Sequence, residues 1–241
     1  MSLENHLRRQ IDHSQDFFWH RIRWRAVKRF FPNTADFGLV DVGAGAGMLG
    51  EYLGQEFPKA GYHFVEPLES LERILEQRHG RDRNLRLAAK FENMEIITLL
   101  DVLEHQADDS AFLSDLVAKM DRGAVLIVTV PALGALWSPW DDALGHFRRY
   151  TKASLSKAWT GLPVVLLDWA YLFPEMLPAA ILRRLRAAFS PAGTAPAKIC
   201  TEFPDLPRPI NRALLGVGTL SLALRKYVPL GTSLVAALKR I

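Results

Sequence analysis

The sequence contains a single cysteine, Cys200, among 241 residues. One thiol closes no internal disulfide, so a disulfide-stapled fold is excluded and a reducing compartment is expected. Long apolar runs are absent too: none reaches the roughly 20 residues that a membrane-spanning helix needs. Residues 1–10 are polar and charged and lack the apolar stretch of a secretory leader, so a cytoplasmic protein is expected. No internal repeat or low-complexity tract occurs, which excludes a repeat array. No His/Cys spacing of a metal-binding type occurs either, so no metal is expected. Neither sign of charge dominates: 30 Lys and Arg face 26 Asp and Glu, for a net charge of +4. That mild excess admits anionic membranes, nucleic acid or acidic substrates without choosing among them.

What the chain does have is apolar material, 49% of its residues. That suffices for a full core in one large domain, or in one domain with an insertion. Residues 16–31 read as a helix, with Phe17, Phe18, Ile22, Val27, Phe30 and Phe31 at roughly helical spacing and basic residues between them; Pro32 ends it. Short apolar strands follow over 37–42, 62–65, 85–89, 96–100 and 124–130, with helices over 48–53, 68–78 and 111–120 between them. This alternation predicts an α/β fold, a parallel sheet with helices on both faces. A helix over 152–159, a sixth strand over 164–168 and a seventh over 233–238 complete the pattern. The expected organisation is a helical cap (1–36), a ligand-binding core (37–173 with 230–241) and a helical insertion within the same domain (174–229). The insertion holds apolar-basic helices over 177–189 and 211–227, joined by a Pro/Gly/Ala-rich link over 190–198.

The first strand runs into Asp41-Val42-Gly43-Ala44-Gly45-Ala46-Gly47 and then into a helix. Glycines between a strand and a helix let the backbone approach a ligand closely, and the helix start offers free N–H groups. The segment also satisfies a dinucleotide-loop pattern, as Gly45-Ala-Gly47-Met-Leu-Gly50. Two acids narrow the reading: Asp41 enters the loop, and Glu66 ends the second strand, where a carboxylate can accept the hydroxyls of an adenosine ribose.

Two more signals sit where the carboxyl ends of strands meet in an open α/β sheet, which is where ligands bind. Asp101-Val-Leu-Glu104-His105 follows the fourth strand. Asp101 can also serve as a helix cap there, and His105 as a structural hydrogen-bonding group. After the fifth strand comes a loop dense in chemistry: Trp137, Asp141, His146, Arg148, Arg149 and Tyr150. Such side chains hold flat or anionic groups and move protons, or else they lock a packed lid.

With these residues in view, the chain resembles the class I S-adenosylmethionine (SAM)-dependent methyltransferase superfamily, and within it the bacterial branch near ubiquinone and small-molecule methyltransferases. Val40 to Gly47 resembles the first motif of that family, Val65-Glu66-Pro67 the acid of its second strand, and Asp101 to His105 its strand-four tip. Trp137 to Thr151 resembles a subgroup signature, and Phe18-Trp19 with Arg21 and Arg25 the N-terminal helix of that subgroup. The resemblance implies a Rossmann-like sheet of seven strands, the last antiparallel. It implies S-adenosyl-L-methionine as cofactor, with Asp41, Gly43, Gly45 and Gly47 on its methionine portion, Glu66 on its ribose and Asp101 beside the methionine end. The acid that contacts adenine in many relatives is displaced here, and Glu92 is the substitute on offer.

A sulfonium methyl is already electrophilic, so such an enzyme chiefly aligns the acceptor with the C–S bond. For a hydroxyl or amine acceptor a base helps by roughly 10²–10⁴-fold. His146 is the first candidate and His105 the second; Trp137, Asp141, Arg148, Arg149 and Tyr150 are candidates for the acceptor pocket. Arg148 and Arg149 could equally brace the lid through Asp141 or Asp142. The expected acceptor is a small or lipid-like molecule methylated at O or N. Nucleic acid is not expected, because no basic reading domain and no Asn/Asp-Pro-Pro-Tyr/Phe tetrapeptide is present. The insertion is read either as touching a membrane surface or lipid-like acceptor, or as ordinary packing or a subunit interface. Two rival functions share the loop: an NAD-dependent oxidoreductase, and a non-enzymatic SAM- or lipid-binding module.

Overall fold

In the computed structural model, which describes Leu7, residues 15–189 and residues 206–241, one sheet organises the chain. Its strands are β1 (Gly38–Val42), β2 (Gly61–Val65), β3 (Ile96–Leu100), β4 (Val125–Pro131), β5 (Val164–Leu172) and β6 (Ser233–Arg240). They lie in the order β2-β1-β3-β4-β6-β5. β1 to β4 run parallel, and β6 is antiparallel to both β4 and β5.

Each central strand is mostly apolar because it feeds two cores, with Asp41, Thr98 and Thr129 as buried polar exceptions. Val40, Ile97, Leu99, Leu126, Val128 and Ala236 enter one cluster. Their alternating neighbours Leu39, Ile96, Ile127, Val235 and Ala237 enter the other. Helices α1 (Phe18–Lys28), α2 (Met48–Glu56) and α3 (Glu69–His79) precede β3; α4 (Asp109–Lys119), α5 (Pro139–Leu144) and α6 (Lys152–Ala158) precede β5; α7 (Leu177–Ala188) and α8 (Arg208–Ala223) lie between β5 and β6.

Helix α1 has no side-chain cap of its own. Asn211 of α8 supplies one: its Oδ1 accepts from Phe18 N at 2.8 Å, and its Nδ2 donates to the Asp16 carbonyl at 2.9 Å. The two helices approach closely at Gly218, where a Cβ would stand 2.9 Å from Ile22 Cγ1. The insertion and the N-terminal helix are thus built against each other.

Several expectations change. The strand expected over 85–89 does not form, so the sheet has six strands among the described residues in place of seven. Pairing with β2 stops after the single bridge Phe64–Asn84 and the bond from Leu85 N to the Phe64 carbonyl. Beyond it Ala88 and Ala89 are exposed and offer too little apolar surface to hold an edge strand. The sixth expected strand, β5, runs four residues longer than 164–168 and carries an irregularity between Leu166 and Asp168. The link over 190–198 lies outside the described residues. Among the described residues no helix is long and apolar enough to cross a membrane.

Candidate active site

Beyond the carboxyl end of β1 the chain turns through Gly43, Gly45 and Gly47, at φ +74°, +55° and +75°. L-side chains rarely adopt this left-handed region. A Cβ on Gly43 would meet Val102 Cγ2 at 2.5 Å, and one on Gly47 would meet Leu75 Cδ2 at 2.5 Å. At Gly45 the nearest atom to such a Cβ, Leu7 Cδ2, is 3.3 Å away. The loop is pinned by Gly43 N donating to the Val65 carbonyl at 2.8 Å.

Two buried acids flank this loop, both served by neutral donors. Asp41 accepts from Thr98 Oγ1 at 2.7 Å and from the Tyr62 hydroxyl at 3.2 Å. Burial pushes its carboxyl up to about 6, against the pull of those two hydrogen bonds. Glu66 accepts from Gly45 N at 2.7 Å and from Leu68 N at 2.9 Å. Burial raises its carboxyl too, more than the two N–H groups lower it. Each acid keeps lone pairs to spare, since a carboxylate accepts about four hydrogen bonds.

Asp101 follows β3 at φ +59°, a strained conformation for a non-glycine residue. Its amide donates to the Thr129 carbonyl at 3.0 Å, Thr129 Oγ1 donates to its Oδ1 at 3.2 Å, and Arg23 Nη1 donates to its Oδ2 at 2.5 Å. Arg23 escaped the sequence reading. Its signal was its position one helical turn after Trp19 on α1. Between α1, α2 and the tip of β3 lies a small open cleft, lined by Arg23, Trp24, Met48, Tyr52 and Leu100 among others. Asp101, the glycine loop and this cleft share the carboxyl edge of the sheet.

The loop after β4 is organised around Asp141, which has no solvent exposure. Arg149 grips it with two donors, Nε to Oδ1 at 2.7 Å and Nη2 to Oδ2 at 3.1 Å. Ser138 N donates to Oδ2 at 3.0 Å, and His146 Nδ1 lies 3.0 Å from Oδ1. Burial alone would raise this carboxyl; His146 and Arg149 outweigh it and hold it below the usual range. Arg148 pairs with Asp109 at 2.8 Å and donates to the Ala107 carbonyl at 2.5 Å. The buried Tyr150 donates to Asp109 Oδ2 at 2.9 Å, and Trp137 Nε1 to Asp142 at 3.2 Å. For all five residues expected in the acceptor pocket, Trp137, Asp141, Arg148, Arg149 and Tyr150, the described polar groups are therefore engaged in locking the lid. Bracing through Asp141 is what the structure shows for Arg149. For Arg148 the partner is Asp109, an acid that the sequence reading did not pair with it.

His105 and His146 do come together, ring centroids 4.8 Å apart and edge-on. Glu104, also missed as a functional residue, is 1% exposed beside them. Burial, and then the charge of Asp101, push its carboxyl well above the usual range. Glu92 does not join the crevice. It is exposed, next to Phe91, which bridges Met120 beyond α4, and three residues before Glu95, which bonds Gly38 at the amino end of β1. It is therefore at the wrong edge of the sheet to replace an adenine-binding acid.

Comparison with known proteins agrees with this geometry. The family model described as methyltransferase domain matches residues 11–163, more than half of the chain, and the chain belongs to that family. Its cofactor is S-adenosyl-L-methionine, and the protein is a SAM-dependent methyltransferase. No curated protein matches the chain. Among solved structures it is similar to a chain of the complex between the Haloferax volcanii Trm112 methyltransferase activator and a methyltransferase, at 12% identity and TM-score 0.62, covering 98% of this chain and 96% of that one. It is also similar to a SAM-dependent methyltransferase from Archaeoglobus fulgidus, at 14% identity and TM-score 0.52, covering 96% of each. A third is Haemonchus contortus phosphoethanolamine N-methyltransferase 2 in complex with SAM, at 14% identity and TM-score 0.54, covering 92% of this chain and 52% of that one. At these identities the likeness carries the fold: a Rossmann-like class I sheet.

The residues present fit SAM. At Gly45 the bend leaves room that a side chain would take up, and the two buried acids beside it have no cation in hydrogen-bonding reach.

Proposed function

We propose that this enzyme transfers the SAM methyl group to a small-molecule or lipid-like acceptor, at oxygen or nitrogen. In this reading Asp41, Gly43, Gly45, Gly47 and Asp101 hold the methionine end of SAM and Glu66 its ribose. SAM, when bound, supplies the electrophilic methyl; the chain orients it and deals with the proton of the acceptor. His146 is held at Nδ1 by Asp141, which leaves Nε2 to receive that proton, with His105 beside it. Trp137 walls the acceptor side, while Asp141, Arg148, Arg149 and Tyr150 hold that wall in place.

The observation that carries this reading is the pair of uncompensated buried acids at the left-handed glycine bend. Its test is calorimetry with SAM, its demethylated product and NADH, on the native protein and on Gly45→Arg. SAM and product should bind and NADH should not. Gly45→Arg should weaken SAM by roughly 100-fold, because the new side chain occupies the cradle. Binding of NADH in place of SAM overturns the proposal.

The lipid-like option is supported by the insertion. On α7 Ile181, Leu182 and Leu185 are about half exposed beside Arg183, Arg184 and Arg186, and on α8 Val217 and Leu220 are more exposed still. Exposed apolar side chains alternating with arginines suit an anionic lipid surface. The core-and-insertion division, 37–173 with 230–241 against 174–229, gives this surface its own unit. Sedimentation with anionic liposomes should capture the native protein and lose Arg184→Glu/Arg186→Glu; equal recovery of both, or none of either, rules the lipid surface out.

A further inference from the structure

Three ligand-type side chains converge where the tip of β3 meets the lid; the methyl-transfer reading uses the two histidines for the proton and leaves Glu104 without a role. Glu104 and His105 come from the short turn Leu103–His105 after β3, and His146 comes from the loop after α5. One donor atom from each lies within 4.8 Å of the other two. Neither spacing nor motif announced this, since the third member arrives from a distant loop.

The protonation pattern points inward. Arg149 grips Asp141 with two donors, which marks that acid as an anionic acceptor. His146 Nδ1 therefore donates to it, and Nε2 is left as a lone pair. That lone pair faces Glu104 Oε1 at 4.0 Å, too far for a hydrogen bond. The other carboxylate oxygen, Oε2, is buried without a hydrogen-bond partner. Nε2 and the Glu104 carboxyl thus face each other across a gap with no hydrogen bond between them, and one buried carboxyl oxygen is left unpartnered. A cation between them would be coordinated from both sides.

We propose that Glu104, His105 and His146 bind one divalent transition-metal ion of the zinc type. Two imidazole nitrogens and one carboxylate oxygen form a set that zinc accepts, with a fourth position left open. Mg²⁺ and Ca²⁺ prefer oxygen ligands throughout. With bonds of about 2.0–2.2 Å a tetrahedral ion sets its donors roughly 3.4 Å apart, so donors that now lie within 4.8 Å of one another draw in by up to about an ångström or slightly more on binding. Asp141 fixes the tautomer of His146 from behind, as outer carboxylates do for metal-bound histidines. The open position is where an acceptor oxygen would bind and be acidified; in that form both imidazoles would be held by the ion, and the acceptor proton would leave to solvent water instead of to His146. This use of the ion rests on the function proposed above, whereas the binding site does not.

The test is titration of EDTA-dialysed protein with Co²⁺, followed by its visible d–d absorption and by competition with Zn²⁺. The native protein should take up one equivalent, lose the band to Zn²⁺ and melt at higher temperature with Zn²⁺ present. Glu104→Gln and His105→Asn should each weaken binding about 100-fold while keeping the native circular dichroism. Absence of a band at millimolar Co²⁺ overturns the site, and so does native affinity in both variants. If Glu104→Gln fails to fold, His105→Asn decides alone. SAM calorimetry on the same sample separates the two proposals: Co²⁺ binding without SAM binding leaves the metal site standing and removes the methyltransferase reading.

Discussion

The buried acids of the glycine bend and the acids that lock the lid, Asp141 fully buried and Asp109 partly so, are served by opposite partners. Asp41 and Glu66 receive hydroxyls and backbone N–H groups, and both carboxyls shift upward. Asp141 and Asp109 receive guanidinium groups, and both shift downward, because Arg149 and Arg148 outweigh desolvation. A buried acid already matched by arginine is scaffold. One left with neutral donors keeps an unmatched charge for something that comes and goes. A sulfonium cofactor is such a visitor.

The contrast can be broken at either end. The larger effect belongs to the lid. Asp141→Ala strands Arg149 and His146 in a dry site, and breaking such a pair costs about 3–5 kcal/mol. Urea unfolding should show that loss in the midpoint at constant slope; a loss below about 1 kcal/mol would mean that the lid acid is not a scaffold.

At the bend the effect is smaller and depends on pH. The folded-state pKa of Asp41 lies above its unfolded value, so the native state holds the proton more tightly. The stabilisation is complete below the unfolded value near ~3.9 and is lost as pH rises through about 6, amounting to about 3 kcal/mol for a group this deeply buried. Asp41→Asn should flatten the stability profile between those limits and weaken SAM roughly 10-fold at pH 7.5. A variant as pH-dependent as the native protein would assign the change to another group.

Much of this was legible before any coordinates. β1, β3 and β4 announce themselves because strands buried on both faces are apolar at nearly every position, and the glycine bend because glycine adopts its φ values most readily. Glu66 could be found by its place at the end of β2. What stayed hidden was pairing across the fold. Residue type told that Arg148 and Arg149 do something specific. Whether they grip a ligand or an internal acid was decided by where α4 sets Asp109 and where the lid folds Asp141. Arg23 on Asp101 and Glu104 beside His146 are hidden for the same reason, since each joins segments that only the sheet brings together. The absent edge strand over 85–89 failed on quantity: its alternation was right, but its apolar area was too small.

The position of β6 has a consequence for how the molecule is made. It slots between β4 and β5, pairing residues far apart along the chain, such as Val125 with Lys239. Until it docks, β4 presents an open hydrogen-bonding edge next to a bare apolar surface. Closure through such distant partners is slow, and the interval is when neighbouring chains can take the vacancy. Yield in a host should therefore depend on chain concentration and temperature during synthesis more than on the stability of the finished protein.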